Sequence, residues 1–347
     1  METYNADMQT PADVRADQAA CWIVTDGAAG NLRQARALAQ AMHVQAIGRQ
    51  VHLRGPWRWF APRMTQGLFV GASIGTRLRP PWPAMVIGCG RQAATITRAL
   101  RTLSEGRTFT VQILDPRVDP ANFDVVVAPR HDELDGPNVI RTLGALNPVD
   151  EAWLAAGLAA FPLLEQLTHP RTTLLIGGQR RGMELTDAWF DAFLAHVAKL
   201  VDGNRGSLMI ACSRRTPNAW RTRLRGLLRD GCTHTWTGPA DGENPYQGYL
   251  AAADRIVVTP DSVNMISEAC ATGKPVLTCL PSSVQGRIAA FHRELSQQGW
   301  LHSLDDNVDL STLQQPAPLR ELAVVAGKVW HVIESTRPQT AVALANG

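Results

Sequence analysis

Residues 254–280, DRIVVTPDSVNMISEACATGKPVLTCL, constrain the fold more than any other part of the chain. They read as strand, turn, helix, turn, strand. Residues 255–259 are short, apolar and β-branched, as in a buried strand. Pro260 and Asp261 break that run, and either Asp261 or Ser262 is placed to cap the following helix. Val263, Ile266, Ala269 and Cys270 form the helix's inner side. Gly273 ends it, Pro275 blocks its return, and residues 276–280 begin the next strand. A helix start at the edge of a parallel sheet suits a phosphate or a sugar hydroxyl. Periodicity alone is equally served by an ordinary βαβ unit with a surface glutamate, Glu268.

The same alternation runs through the rest of the chain. Strands are expected at 21–25, 46–53, 85–87, 110–114, 124–128 and 139–142, with helices at 32–42 and 92–103. A second series holds strands at 172–176, 207–211 and 233–235 and helices at 186–200 and 219–228. This order predicts an α/β protein of two Rossmann-like, doubly wound parallel-sheet domains facing across a cleft. The expected divisions are a disordered tail at 1–20, a first domain at 21–150, a linker at 151–170 that holds a helix and a polar joint, and a second domain at 171–318. A C-terminal helical segment at 319–347 is expected to cross back toward the first domain, because Leu322, Val325, Val329 and Ile333 share one face. A length of 347 residues suits two domains.

The net charge of +3 is too small to mark a nucleic-acid binder. Only Lys199, Lys274 and Lys328 are lysines, so arginine supplies nearly all the cations. Its planar fork suits diphosphate oxygens. The six cysteines show no CxxC pair and no metal-ligand spacing, which implies reduced core thiols of a cytoplasmic protein and no metal or other cofactor. The polar start of the chain lacks the apolar stretch of a signal peptide, and no run is long enough for a membrane span.

Several turns follow strands and carry polar groups. Gly177, Gly178 and Gln179, with Arg180 and Arg181, form a glycine turn whose amides could meet an anion. Ser213, Arg214, Arg215 and Thr216 follow the next strand and offer hydroxyls beside two guanidiniums. Three strand ends at one edge favour a diphosphate there, although the second turn also reads as a solvated basic loop. In the first half, Gly90 and Arg91 form a comparable turn. Asp26, in the segment Thr25-Asp26-Gly27, caps or faces the first helix. The segment 54–83 mixes Trp57, Trp59, Phe60 and further apolar residues with five arginines, a composition suited either to an anionic bilayer surface or to core packing under proline-rich loops.

Residue by residue, the 249–275 region resembles the second half of GT-B glycosyltransferases, closest to the enzymes that add GlcNAc to undecaprenyl-linked muramyl peptide. Tyr249, the Ala252-Ala253-Asp254 run, Asp261-Ser262, Glu268 and Gly273-Lys274-Pro275 stand in the order of that family. The resemblance implies that Glu268 holds the nucleotide ribose. It also implies that the Gly242–Tyr246 loop, through Pro245 and Tyr246, contacts the base, and that Asp26 is the base acting on an acceptor. Asn244 before Pro245 is a good helix start in its own right.

The phrases TDGAAGNLRQ, LIGGQRRG, CSRRTP, GENPYQGYLAAAD and TPDSVNMISEACATGKPV resemble the "elongated mitochondria" mitochondrial-fission family over nearly the whole chain. Together the two resemblances imply a protein that binds a nucleotide-diphosphate sugar, of UDP type, and transfers its sugar without a metal to a membrane-associated acceptor. The alternative implied by the fission family is a non-catalytic membrane adaptor. The glycine-rich, histidine-bearing loop of the transferases is absent from the first turn, a departure that bears on catalysis more than on nucleotide binding. A peripheral site at the inner face of the membrane is the corresponding location.

Overall fold

The computed structural model describes residues 20–65, 67–68, 72–74, 80–180, 182–202, 206–228, 232–305, 308, 313 and 317–345. The polar tail expected at 1–20 lies outside them apart from Ala20, as do Arg181, Phe69, Arg77 and Arg79. The chain divides into two compact units, one made of residues 1–142 with 321–347 and the other of residues 143–320.

The first unit holds a seven-stranded sheet. Its strands are β1 (Cys21–Thr25), β2 (Ala46–Leu53), β3 (Ala72–Ile74), β4 (Met85–Cys89), β5 (Phe109–Ile113), β6 (Val125–Pro129) and β7 (Val139–Thr142). Their spatial order is β3-β2-β1-β4-β5-β6-β7. All neighbouring pairs are parallel except β2 with β3. Strands β1, β4, β5 and β6 are buried at every position, which explains their unbroken apolar runs. The helices are α1 (Ala29–Ala41), the short α2 (Gly55–Phe60) and α3 (Arg91–Leu103).

The second unit holds six parallel strands, β8 (Arg171–Ile176), β9 (Ser207–Cys212), β10 (Thr233–Trp236), β11 (Arg255–Val258), β12 (Val276–Thr278) and β13 (His302–Ser303), in the order β10-β9-β8-β11-β12-β13. The stretch expected as a linker contains a helix of this unit. It is α4 (Glu151–Ala160), started by Asp150, whose carboxylate accepts from Trp153 N at 2.7 Å. Helices α5 (Asp187–Asp202), α6 (Asn218–Leu224), α7 (Tyr246–Ala252), α8 (Val263–Cys270) and α9 (Gly286–Gln297) follow. Helix α4 packs on α7. Gly157 permits that approach, since a Cβ there would lie 2.6 Å from Gln247 Cγ and 2.8 Å from its backbone. Phe190 and Trp220 stack within the core at 4.1 Å between centroids.

The chain then returns to the first unit as α10 (Leu322–Thr336) and α11 (Pro338–Ala345). Helix α10 packs on α1, burying Val325, Val329 and Ile333, and Trp330 Nε1 donates to Met42 O at 3.2 Å. Arg337 donates to Gly106 O and to Asp124 Oδ1, which also accepts from Arg101.

Candidate functional site

In the second unit, register places the ends of β8, β9 and β11 side by side: Ile176 pairs with Cys212 and Leu175 with Val258. The turns that follow meet at one sheet edge, and Asp261 is their centre. Its side chain is fully buried. It accepts from Thr259 Oγ1 at 2.7 Å, Gly178 N at 3.1 Å and Arg215 Nη2 at 2.7 Å. Its backbone carbonyl accepts from Arg180 Nη1 at 2.9 Å.

This arrangement gives the glycines a different reason from the one expected of them. The amides of Gly177 and Gly178 already donate to Thr259 Oγ1 and Asp261 Oδ2. A Cβ at Gly177 would sit 2.1 Å from Asp261 Oδ1, and one at Gly178 would sit 2.1 Å from Arg215 O. The glycines therefore let side chain and backbone of neighbouring turns come close. The hydroxyls of the second turn are likewise internal. Ser213 Oγ donates to Gly177 O and accepts from Arg215 N, and Thr216 Oγ1 lies within bonding distance of Ile176 O and Gly177 O. Asp261, Ser213 and Thr216 brace the edge instead of presenting polar atoms outward. Arg214 is exposed, and Arg215 remains 46% exposed while paired to Asp261. Gln179 is exposed, with its amide nitrogen on Leu185 O.

Helix α8 begins at this edge. Ser262, not Asp261, supplies the cap, its Oγ accepting from Met265 N at 3.4 Å. Glu268, further along the same helix, is buried. Tyr246 Oη donates to its Oε2 at 2.5 Å. Tyr246 opens α7, where Asn244 Oδ1 accepts its backbone N–H at 3.0 Å and Pro245 is buried at the cap position. The helix thus starts beside Asn244-Pro245, with Pro245 and not Asn244 at the cap position. Lys274 and Arg255, the cations nearest to Glu268 in sequence, have other partners. Lys274 Nζ donates to Leu250 O at 2.8 Å and to Ala251 O, closing the last turn of α7. Desolvation pushes its pKa down to about 8. Arg255 donates to Thr172 Oγ1 and Leu200 O. Asp254, the acid of the Ala-Ala-Asp run, accepts from Arg171 N at 2.6 Å and bonds to His169 at 2.7 Å.

Two residues of this edge escaped the sequence reading. Thr259 joins Gly177 to Asp261. His292, on α9, is buried, with Nε2 2.8 Å from Pro260 O; a carbonyl partner requires Nε2 to carry the proton. Its Nδ1 is buried without a hydrogen bond, and burial pushes its pKa down to about 4. The Ile288, Phe291, Leu295 spacing was the available signal for α9.

In the first unit, β1 and β4 end together, with Thr25 opposite Cys89. Asp26 Oδ1 accepts from Ala28 N at 3.1 Å and Asn31 Nδ2 at 3.0 Å, so it braces the turn into α1. Gly90 has φ +91°, and a Cβ there would press on Asn31 Nδ2 at 2.7 Å. Arg91 reaches back to the α2 segment. Its Nη1 and Nη2 donate to Ala61 O at 3.5 Å and Arg58 O at 3.4 Å, tying down α2. The aromatic residues of α2 divide: Trp57 packs partly on the core, whereas Trp59 is 76% and Phe60 57% exposed. Burial raises the thiol pKa values of Cys21, Cys89, Cys212 and Cys270, which makes them poor nucleophiles. Among the described residues, no His, Cys, Asp and Glu side chains gather as a metal group, and no helix is long and apolar enough to cross a membrane.

Two Rossmann-like units with these strand orders define a GT-B-like fold. UDP-GlcNAc 2-epimerase of Methanocaldococcus jannaschii matches with a TM-score of 0.54 at 10% identity, over 91% of this chain and 99% of that one. MnaA of S. aureus, in a structure with UDP, matches with a TM-score of 0.51 at 12% identity, over 93% and 90%. These likenesses are of fold. The chain itself belongs to the mitochondrial fission ELM1 family, whose model matches residues 29–333. The Arabidopsis thaliana mitochondrial fission protein ELM1 is 32% identical over 276 residues, covering 71% of this chain but only 63% of the plant protein.

Proposed function

We propose that the second unit binds a nucleotide-diphosphate sugar and that the protein acts on that sugar. The observation that carries this reading is Glu268. It is a buried carboxylate on a helix that starts at the sheet edge, bonded to the tyrosine that opens α7. A carboxylate so placed can accept a ribose hydroxyl. The start of α8 and the exposed guanidinium of Arg214 would face the diphosphate, with Arg215 beside them on its Asp261 anchor. Pro245 and Tyr246 would border the base. UDP is the first nucleotide to test, since the S. aureus protein of this fold was solved with it and the M. jannaschii protein is named for UDP-GlcNAc. If sugar is transferred, fixed positive charge stabilises the departing diphosphate and Asp26 accepts the acceptor's proton.

A second reading, binding without turnover, is favoured by one observation: Asp26 already accepts two hydrogen bonds within its own turn. The name of the plant relative fits an adaptor as well as an enzyme. Thermal melting with a panel of nucleoside diphosphates, followed by a turnover assay on their sugars, separates the cases. A raised Tm with UDP release from a UDP-sugar supports an enzyme. A raised Tm without turnover supports the adaptor reading. No shift with any nucleoside diphosphate at millimolar concentration overturns the site.

A further inference from the structure

We propose that the Trp59–Phe60 end of α2 docks the first unit on an anionic lipid surface. The first observation is charge segregation. Residues 27–104 contain eleven arginines and no aspartate or glutamate, in a chain whose net charge is only +3. The second is the exposure of two neighbouring large aromatic side chains, with Arg54, Arg58 and Arg63 exposed on the same short stretch. Aromatic rings beside arginines suit the headgroup boundary, where the ring enters the apolar side and the guanidinium meets phosphate.

The third observation is that this exposure is held in place by side-chain bonds. Helix α3 grips the α2 segment at four points. Arg91 donates to Arg58 O and Ala61 O, Arg98 donates to Pro62 O at 2.5 Å, and Gln92 Oε1 accepts from Leu53 N at 3.2 Å. Trp57 is turned onto the core in the same stretch. The segment leaves the carboxyl end of β2, the end at which Thr25 pairs with both Gln50 and Cys89. A docked surface therefore lies at the sheet edge that carries Asp26 and Gly90. A second copy of the chain is a poorer occupant, because pairing this stretch with itself would set Arg54, Arg58 and Arg63 against their own copies.

The test is co-sedimentation of the full chain, without nucleotide, with phosphatidylglycerol-containing vesicles and with pure phosphatidylcholine vesicles. Omitting nucleotide makes the outcome independent of the donor-site reading. Binding is expected to the acidic vesicles, to weaken as salt rises from about 0.1 M to about 0.5 M, and to fall by about tenfold or more in Trp59→Ser/Phe60→Ser. Arg54→Gln and Arg63→Gln should each weaken it by roughly fivefold. All four residues are exposed, so unchanged melting curves will show that the variants fold. Absence of vesicle binding overturns the proposal, as does equal binding to both vesicles or binding unaffected by the aromatic substitutions. So does a dimer in solution that the aromatic variant dissolves, or binding to RNA as tight as to vesicles and indifferent to Trp59.

Discussion

Tyr246 donates its phenolic hydrogen to Glu268 across 2.5 Å, joining the first turn of α7 to the middle of α8. Tyr246→Phe removes one hydrogen-bond donor from a buried carboxylate. A loss of roughly 1–3 kcal/mol of stability is expected by urea unfolding. Glu268→Ala should lower nucleotide affinity by a similar roughly 1–3 kcal/mol in calorimetric titration. Equal stability losses with and without nucleotide in that variant would mark the glutamate as structural only.

Arg214 and Arg215 should behave differently although they are neighbours. Arg214→Gln is expected to weaken nucleoside diphosphate binding about tenfold while leaving the ligand-free Tm unchanged. Arg215→Gln leaves Asp261 buried without its cation, so it should also lower ligand-free stability by at least about 1 kcal/mol. Parallel melting and titration of the two variants checks the contrast.

At Gly178 an added Cβ meets the backbone of Arg215, which no rotamer change can relieve. Gly178→Ala should cost about 1–3 kcal/mol or more in denaturant unfolding. Gly226→Ala, where nothing lies within 4 Å of the new carbon, is the matched control and should be close to neutral.

His292 sets an acid limb. Its pKa is about 4 when folded, against 6.5 for the free side chain. Between those values the unfolded chain takes up a proton that the native chain refuses. Stability from this group is therefore complete above about pH 6.5, falls as pH drops toward 4, and levels off below. His292→Gln, which keeps a donor for Pro260 O, should remove on the order of 2 kcal/mol of the difference in unfolding free energy between pH 7.5 and pH 4.5.

Asp124 accepts from Thr110 N, Thr110 Oγ1, Arg101 and Arg337. Asp124→Asn breaks both ion pairs at a mostly buried position, with an expected cost of about 3 kcal/mol. Limited proteolysis should then cut within α11 before the rest of the chain.

Strands β1, β4, β5 and β6 were legible because burial on both faces leaves an apolar run. The expected 21–25 matches the observed Cys21–Thr25; 46–53 and 139–142 also match Ala46–Leu53 and Val139–Thr142, although those two strands are only partly buried. Helix α4 was harder to place. Its AWLAAGLAA stretch has no clear polar face, and its reason for lying on α7 is the close approach at Gly157, a fact of packing. The site was half legible for the same kind of reason. Gly177 and Gly178 announce a tight place, but sequence does not say what fills it, and the filler is Asp261 and the Arg215 backbone. Likewise the pairing of Glu268 with Tyr246 spans 22 positions that no local pattern connects.

The return of residues 321–347 to the first unit sets an order of assembly on the ribosome. The second unit is one uninterrupted stretch, 143–320, and its sheet can close while the nascent chain is still being made. The first unit begins emerging earlier yet is completed later, because α10, which covers α1, is translated after the whole second unit. Until Arg337 has left the exit tunnel, Asp124 lacks one of its two arginine partners among the described residues. A break in the chain before Arg337 would thus injure the amino-terminal unit, and leave whole the one nearer the break.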